Sequence, residues 1–326
     1  MDTNIAVQPA TSRLTSANRW DHFLARWAVN RSGHRVVPGL YALGQPTPES
    51  PIFVSANYSL SFDALRSALA GVDGYILVLD TDGVNVWCAA GKGSFGTEEV
   101  VRRIEAVRLG EVVSHRVLIL PQLGAPGVAA HEVKRRTGFK VEYGPVRAAD
   151  LPVYLKTREA TPEMRRVRFS LRDRLAVVPV EVVAALLPTL VVAAGLYFFF
   201  GGWVTALAAV VTALTGTVLF PILLPWLPTH NFSTKGFVLG VLVALPFAVS
   251  VFIRHPGWAW WRQAAQALEF LLAMPAVTAF VALNFTGSTT FTSRTGVRRE
   301  IFAYVPAMAW SLGSGVLLAL VFAFIR

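Results

Sequence analysis

Apolar positions divide the chain into two halves with different patterns. Before about residue 160, short apolar runs typical of strands alternate with segments in which apolar residues recur at helical spacing. This alternation predicts an α/β domain with a largely parallel, Rossmann-like sheet. The expected strands are Ile52–Ser55, Tyr75–Asp80, Val117–Leu120 and Lys140–Tyr143, and the expected helices are Ser61–Leu69, Thr97–Leu109 and Gly127–Thr137.

After residue 175 the pattern changes to long apolar stretches with few charges. With 54% hydrophobic and 15% charged residues, the chain is too apolar for a soluble protein of 326 residues. Five stretches are long enough to cross a bilayer as helices, near 178–200, 203–227, 236–253, 264–284 and 302–325. The expected domains are an amphipathic helix and connector (1–50), an α/β domain (51–160), a basic linker (161–175) and an all-α transmembrane domain of five helices (176–326).

Basic residues flank the apolar stretches unequally, which predicts an orientation. The run RRVRFSLRDR (165–174), Lys235 and the arginines of 294–299 would all face the cytoplasm under the positive-inside rule. The basic residues expected outside are Arg254, Arg262 and Arg326. We therefore expect a multi-pass inner-membrane protein with its amino terminus and α/β domain in the cytoplasm and its carboxyl terminus outside. Met1–Arg13 is polar and lacks the apolar core of a secretory signal.

The net charge of +10 indicates contact with anionic membrane lipid. We expect no nucleic-acid partner, because the sequence has no aromatic and basic stripe of that type. Residues 16–29 place Trp20, Phe23 and Trp27 at helical spacing and predict an amphipathic helix. Such a helix could lie on the membrane or cover the α/β domain, and the second interpretation is favoured. A connector rich in proline and glycine, 37–51, then leads to the expected first strand.

Cys88 is the only cysteine, and it lies in the octapeptide NVWCAAGK (85–92). This segment follows a predicted strand and the turn at 80–83, where α/β folds bind ligands. A lone cysteine is usually a small buried apolar residue. As a thiolate it would also be a soft metal ligand, beside small residues that admit a large flat ligand. One cysteine excludes an internal disulfide and a cysteine-ligated iron–sulfur cluster within this chain.

The glycines at 91–96 also match the dinucleotide-binding pattern G-x-G-x-x-G. The match is weak because NVWCAA separates it from the strand, and the acidic residue nearest to the required position is Glu111. A phosphate-binding loop of the Walker type also fails, since Val86 stands where its first glycine belongs. We interpret these glycines as backbone room beside a flat ligand, and an ordinary tight loop is the alternative.

The octapeptide resembles the cap-helix signature of the HgcA family, the membrane-anchored mercury-methylating corrinoid proteins. Asn85, Val86 and Trp87 precede the cysteine as in that signature. The resemblance extends through PIFVSANYSLSFDALR (51–66), LPQLGAPG (120–127) and NFTGSTTFTS (284–293). It covers nearly the whole chain after about residue 35.

The resemblance implies a corrinoid cofactor, cobalamin or a related molecule, with Cys88 as the lower axial ligand of its cobalt. It also implies methyl transfer from cobalt to inorganic Hg(II), which gives methylmercury. Three strand-end loops are expected to form one ligand-binding rim. The expected cofactor-binding residues are Ser55, Ala56, Asn57, Tyr58, Asn85, Val86, Trp87, Cys88, Ala89, Ala90, Gly91, Lys92, Gln122, Leu123 and Gly124. For Asn57, Tyr58 and Gln122, ordinary turn chemistry explains the residue types equally well.

The partners that the resemblance implies are a ferredoxin-like iron–sulfur protein, as electron donor and mercury carrier, and a methyl donor. That donor would be a protein or a methyltetrahydrofolate system. One alternative is a corrinoid methyl carrier of the acetyl-CoA pathway, although its corrinoid iron–sulfur subunit binds a cluster through several cysteines. A second is a non-catalytic corrinoid-binding membrane protein, for which we would expect more polar residues in the apolar stretches.

Overall fold

The computed structural model describes residues 6–30, 32–200, 202–289 and 294–324. It forms two compact units, which divide after Arg168. Three predictions concern residues outside these ranges: the position of Arg326, the end of the last apolar stretch at residue 325, and the residues 290–293 of NFTGSTTFTS. The first residues of that motif complete a long helix and a 3₁₀ turn, Phe285–Ser288.

The first unit contains a six-stranded sheet in the order β1-β2-β4-β3-β5-β6. All described pairs are parallel except β2 with β4, which are antiparallel. The strands are β1 (Val7–Ala10), β2 (Gly39–Leu43), β3 (Ile52–Ala56), β4 (Gly74–Leu79), β5 (Val117–Leu120) and β6 (Lys140–Tyr143). The expected α/β class is confirmed. However, Ile52 does not begin the first strand, because β1 and β2 precede it in the segment predicted as helix and connector.

Seven α-helices occur in the described part of the first unit. They are α1 (Ser16–Arg26), α2 (Ser59–Ala68), α3 (Val86–Lys92), α4 (Thr97–Ala106), α5 (Leu109–Val112), α6 (Ala130–Thr137) and α7 (Leu151–Thr157). Helix α2 begins before the predicted Ser61, with Tyr58 at its N-cap. Helix α4 ends before the predicted Leu109, because Arg108 adopts a left-handed conformation.

Helices cover both faces of the sheet. Residues of β4 alternate between two cores, so that Leu77 packs on the side of α3, α4 and α6, and Ile76 packs on the side of α2 and α7. Central strands buried on both faces read as continuous apolar runs, which explains why β4 was recognisable from the sequence. This arrangement leaves the carboxyl ends of β3, β4, β5 and β6 at one edge, where α3 begins.

The second unit is helical. Its elements are α8 (Leu171–Phe199), α9 (Trp203–Leu214), a π-helical turn (Thr215–Leu219), α10 (Phe220–Leu223), α11 (Phe232–Arg254), α12 (Trp260–Asn284) and α13 (Arg294–Phe324). They supply five helical segments long and apolar enough to span a membrane, as expected for a multi-pass membrane protein. Helix α8 begins before residue 178 because Ser170 and Asp173 form a capping box at a charged first turn.

Candidate functional site

Cys88 lies in the first turn of α3, and the turn is fixed by the residue before the helix. Asn85 is the N-cap in an extended conformation, and its Oδ1 accepts a hydrogen bond from the backbone N–H of Cys88 at 2.9 Å. Gly93 ends the helix in the left-handed conformation, at φ 92°. NVWCAAGK is therefore a short helix with both caps in or next to the octapeptide.

The two faces of α3 differ in exposure. Ala89 and Ala90 are buried in the core between the sheet and α4. Trp87 and Cys88 are partly exposed, and Lys92 is exposed. The small alanine side chains let the helix lie close to the domain, so the thiol stands at the surface of a well-packed element.

The loop after β5 packs directly on α3 because it contains glycines. A Cβ at Gly127 would lie 2.2 Å from the carbonyl oxygen of Phe95 and 3.0 Å from the Cα of Ala90. A Cβ at Gly124 would lie 2.5 Å from the Phe95 ring. The motif LPQLGAPG therefore holds the Cys88 helix through close backbone contact, which longer side chains would prevent.

Asn57 holds the loop that leads from β4 into α3. Its Oδ1 accepts hydrogen bonds from the backbone N–H groups of Thr81 and Gly83, at 3.0 and 2.9 Å, and its Nδ2 donates to Asp80 at 3.2 Å. The side chain is 2% exposed. The protein itself uses these polar atoms to position α3, and a direct contact of the Asn57 amide with a cofactor stays a prediction.

Gln122 is also engaged within the protein. Its Oε1 accepts a hydrogen bond from Nη1 of Arg165 at 2.7 Å. Tyr58 forms an isolated bridge with Arg35 at the start of α2. No local sequence pattern pairs Arg165 with Gln122, because 43 residues separate them.

A cavity of about 270 Å³ lies where the parallel strands end. Three predicted loops meet there, with Ser55, Trp87 and Leu123 among the lining residues. The segment Gly144–Val146 after β6 completes the lining, and residue types alone did not assign it a role. The predicted residues that do not line this cavity are Ala56, Asn57, Tyr58, Cys88, Ala89, Ala90, Gly91, Lys92, Gln122 and Gly124. The cavity therefore adjoins the start of α3, and Cys88 stands beside it.

Glu99 positions the end of β4, a role that the sequence did not predict. It is 8% exposed, and its Oε1 accepts a hydrogen bond from the backbone N–H of Asp80 at 2.8 Å. Arg103, one turn later in α4, donates to the same oxygen at 2.8 Å. The spacing of Glu99 and Arg103 is visible in the sequence, but the contact with the end of β4 is not.

An ion pair and a partly buried hydrogen bond join the elements around α3. Arg136 of α6 donates a hydrogen bond to Glu98 of α4 at 2.6 Å, and this bond lowers the pKa of the Glu98 carboxyl below its ordinary value. Burial raises the pKa of the Tyr143 hydroxyl, which donates to the carbonyl oxygen of Val128 at 2.6 Å. These contacts fix the loop after β5 from its far side.

The donor set around Cys88 limits the metals that could bind there. No group of three or more His, Cys, Asp or Glu side chains suited to a metal ion occurs in the described ranges. A metal at Cys88 would therefore need most of its ligands from outside the protein. One soft sulfur ligand fits a metal that is already held in a macrocycle, and it does not fit a bare ion.

The fold and site define an α/β domain with a strand-end cavity and one thiol on a capped helix, joined to a unit with five apolar helices. Residues 27–155 match the family described as CO dehydrogenase/acetyl-CoA synthase delta subunit. The match contains Cys88 and the cavity, and it ends before the helical unit.

Curated relatives are similar over the same domain. The acetyl-CoA decarbonylase/synthase complex subunit gamma of Archaeoglobus fulgidus is 34% identical over 128 residues, which are 39% of this chain and 27% of that protein. The subunit gamma of Methanopyrus kandleri shows the same identity and the same coverage. The corrinoid/iron-sulfur protein large subunit of Moorella thermoacetica is 28% identical over 129 residues, 39% of this chain and 28% of that protein. The chain thus spans little more than a quarter of the length of these relatives.

Proposed function

We propose that this chain is a membrane-anchored corrinoid protein that transfers methyl groups, with Cys88 as the lower axial ligand of the corrinoid cobalt. The position of Cys88 carries the proposal, because the only thiol of the chain is presented on a capped helix beside a strand-end cavity. The similarity to a corrinoid/iron-sulfur protein large subunit over the same domain supports it.

A bound corrinoid supplies a cobalt ion that holds a methyl group and releases it to an acceptor. The residues of this chain bind and orient that cofactor. Cys88 would contribute a soft sulfur ligand, and Asn85 fixes the turn that carries the sulfur. Ala89 and Ala90 anchor the helix to the core, and Trp87 forms a wall of the cavity.

Inorganic Hg(II) is the acceptor we propose, with methylmercury as the product. The octapeptide NVWCAAGK supports this acceptor through its resemblance to the mercury-methylating corrinoid proteins. The chemistry agrees, because a thiolate at Cys88 would donate electron density to a bound cobalt and so would favour transfer of a methyl group, as a carbanion equivalent, to a soft electrophile.

A methyl carrier of the acetyl-CoA-pathway type is the second candidate, and the named relatives favour it. Two features of this chain separate it from a simple carrier subunit. Its single cysteine cannot ligate an iron–sulfur cluster alone, and it carries five apolar helices. A third candidate is a corrinoid-binding membrane protein without catalysis. Such a protein would transfer the methyl group to no acceptor.

The proposed partners follow from the cysteine content of the chain, which is too low for an iron–sulfur cluster of its own. With one cysteine, it needs an external electron donor, which we propose to be a ferredoxin-like iron–sulfur protein. A methyl donor protein or a methyltetrahydrofolate system would reload the cofactor. We expect repeated turnover with Hg(II) only when both reduced ferredoxin and a methyl donor are present.

The test compares the purified full chain with Cys88→Ala after loading with cobalamin under anaerobic conditions. We expect Cys88→Ala to change the visible spectrum of the bound cofactor and to abolish methylmercury formation, whereas Ser94→Ala changes neither. Cys88→His should bind the cofactor but transfer poorly to a soft acceptor. Loading with methyl but no transfer to Hg(II) would favour the carrier, and an unchanged Cys88→Ala would refute the thiolate ligand.

A further inference from the structure

Helix α1 turns its aromatic side chains away from the domain. Trp20, Phe23 and Trp27 are 61%, 48% and 40% exposed. Their rings contact one another along the helix, with centroid distances of 5.3 Å between Trp20 and Phe23 and 5.9 Å between Phe23 and Trp27. These three residues form a continuous surface, the aromatic ridge. The sequence analysis left two positions open for this helix, on the membrane or covering the domain, and favoured the second. In the structure α1 packs on the domain, and its aromatic side chains face outward.

The face of α1 that packs on the domain is polar. Nε2 of His22 lies 2.8 Å from Oδ2 of Asp63, and Nε of Arg66 donates to Oδ1 of the same carboxylate at 2.7 Å. Arg66 also donates to Oδ1 of Asn18 at 3.1 Å. Asp63 and Arg66 are 3% and 6% exposed. A buried charge pair on α2 therefore holds the inner face of α1.

A second polar group fixes the end of α1. Both ring nitrogens of His34 face acceptors, Oδ1 of Asp21 at 2.6 Å and the carbonyl oxygen of Val29 at 2.7 Å. Both nitrogens must therefore donate, so His34 is an imidazolium in this arrangement. Ser59 donates to the other oxygen of Asp21 at 2.6 Å. The helix is thus locked in orientation along its length.

This arrangement reverses the usual amphipathic helix, which packs its apolar stripe on the core and leaves its polar face in water. Burying ion pairs gives little net stability compared with apolar packing of similar volume. The inner contacts therefore do not explain why the aromatic residues face outward. Contiguous exposed apolar side chains in a folded domain mark an interaction site.

We propose that the aromatic ridge docks on the headgroup region of an anionic lipid bilayer. Tryptophan and phenylalanine suit that interface, particularly on a helix with arginine beside them. The exposed charged residues of α1 are Arg19 and Arg26, whereas its one acid, Asp21, is held inward by His34 and Ser59. The five apolar helices of the same chain would keep a bilayer within reach of this domain.

The experiment uses the full chain in nanodiscs, with Cys88→Ala so that an introduced cysteine is the only thiol. Ser16→Cys, one turn before Trp20 on the same face of α1, carries an environment-sensitive fluorophore. His131→Cys on α6, where the side chain is 83% exposed, is the matched control. Quenching by spin-labelled lipid is measured in discs of phosphatidylcholine alone and in discs that also contain phosphatidylglycerol.

We expect a blue shift and severalfold stronger quenching at Ser16 than at His131 in anionic discs, with weaker quenching in neutral discs. The triple variant Trp20→Ser, Phe23→Ser and Trp27→Ser should lose this quenching, whereas Val153→Ser, an exposed apolar residue of α7, should keep it. Arg19→Gln with Arg26→Gln should remove the difference between the two lipids.

Four results would overturn the proposal. They are equal quenching at both label positions, equal quenching in the two lipids, retained quenching in the triple variant, and failure of the chain to enter nanodiscs. A blue shift in detergent that grows with protein concentration would assign the ridge to self-association instead. If the fluorophore at Ser16→Cys becomes shielded from water only after a ferredoxin is added, the aromatic ridge would be assigned to a protein partner.

Discussion

The Oδ1 atom of Asn85 and the backbone N–H of Cys88 are joined by a hydrogen bond of 2.9 Å. The residue that starts α3 therefore also orders the turn that carries the thiol. Since Cys88 is the only cysteine, its reactivity can be followed in the full chain without interference from other thiols.

Asn85→Ala should loosen this turn. Loss of an N-cap side chain costs about 1 kcal/mol of helix stability, and a frayed first turn exposes the thiol more often. We expect faster alkylation of Cys88 and weaker cobalamin loading. Asn85→Ser, which can still cap the helix, should restore both properties. An alkylation rate that is the same in Asn85→Ala and the unmodified protein would contradict the capping role.

Gly127→Ala should displace the loop after β5 from α3. The added Cβ would meet the backbone of Phe95 and Ala90, which cannot move aside as a flexible side chain can. We expect a loss of about 1 to 3 kcal/mol in the free energy of unfolding, measured by urea titration, with weaker cobalamin loading. Gly257→Ala, where a Cβ meets no atom within 4 Å, should change neither property. Equal stability of the two variants would show that the close approach at Gly127 is unimportant.

The attachment of α1 should depend on pH through His34. Burial alone would lower the pKa of His34, but hydrogen bonds to Asp21 and to the Val29 carbonyl outweigh burial and raise the pKa above 6.5. A raised pKa in the folded state stabilises the protein below the unfolded pKa, and this stability is lost as pH rises through the folded value.

The pKa of Asp21 moves in the opposite direction. Burial raises the pKa of Asp21, but the hydrogen bonds from Ser59 and His34 lower it by a larger amount, so that the pKa lies below 3.8. This contribution is present above pH 3.8 and is lost in acid. For His34, protection of α1 amides from hydrogen exchange, corrected for intrinsic rates, should fall as pH rises above 6.5 and through the raised folded-state pKa. His34→Gln should flatten that dependence, and a fall of the same size in this variant would exclude His34 as its origin.

The orientation in the membrane can be tested with cysteines in the Cys88→Ala background. Under the positive-inside rule, the basic run 165–174 predicts that this segment lies inside, and the short connection between α11 and α12 is then expected outside. Gly257→Cys should react with an impermeant maleimide in intact cells, whereas Arg166→Cys should react only after the cells are opened. The reverse pattern would place the α/β domain outside.

Local patterns explain what the sequence could predict. The α/β alternation and the five long apolar stretches are visible in the order of apolar and polar residues alone. The α3 helix also has local end signals, Asn85 at its start and Gly93 at its end. Strand β1 escaped prediction because VQPA is short and contains a proline, and β2 because it lies in a connector rich in proline and glycine. Both become strands through pairing with distant partners.

The site was less predictable than the fold. Asn57 and Glu99 act through contacts with the ends of β4, across 19 to 26 residues of sequence, and no local pattern encodes such contacts. Periodicity located the two faces of α1 but could not tell which one packs inward. That choice depends on Asp63 and Arg66 of α2, whose buried pairing is visible only in three dimensions.

Strand β2 separates β4 from the edge of the sheet, and the short β1 pairs with the outer side of β2 as the edge strand. A chain that began at Ile52 would leave the outer backbone groups of β4 unpaired, and every residue of β4 is buried in the intact domain. An open apolar edge of this kind is a template for strand addition between molecules. Strands β1 and β2 therefore protect the domain against aggregation, and shortened versions of the protein should keep both strands.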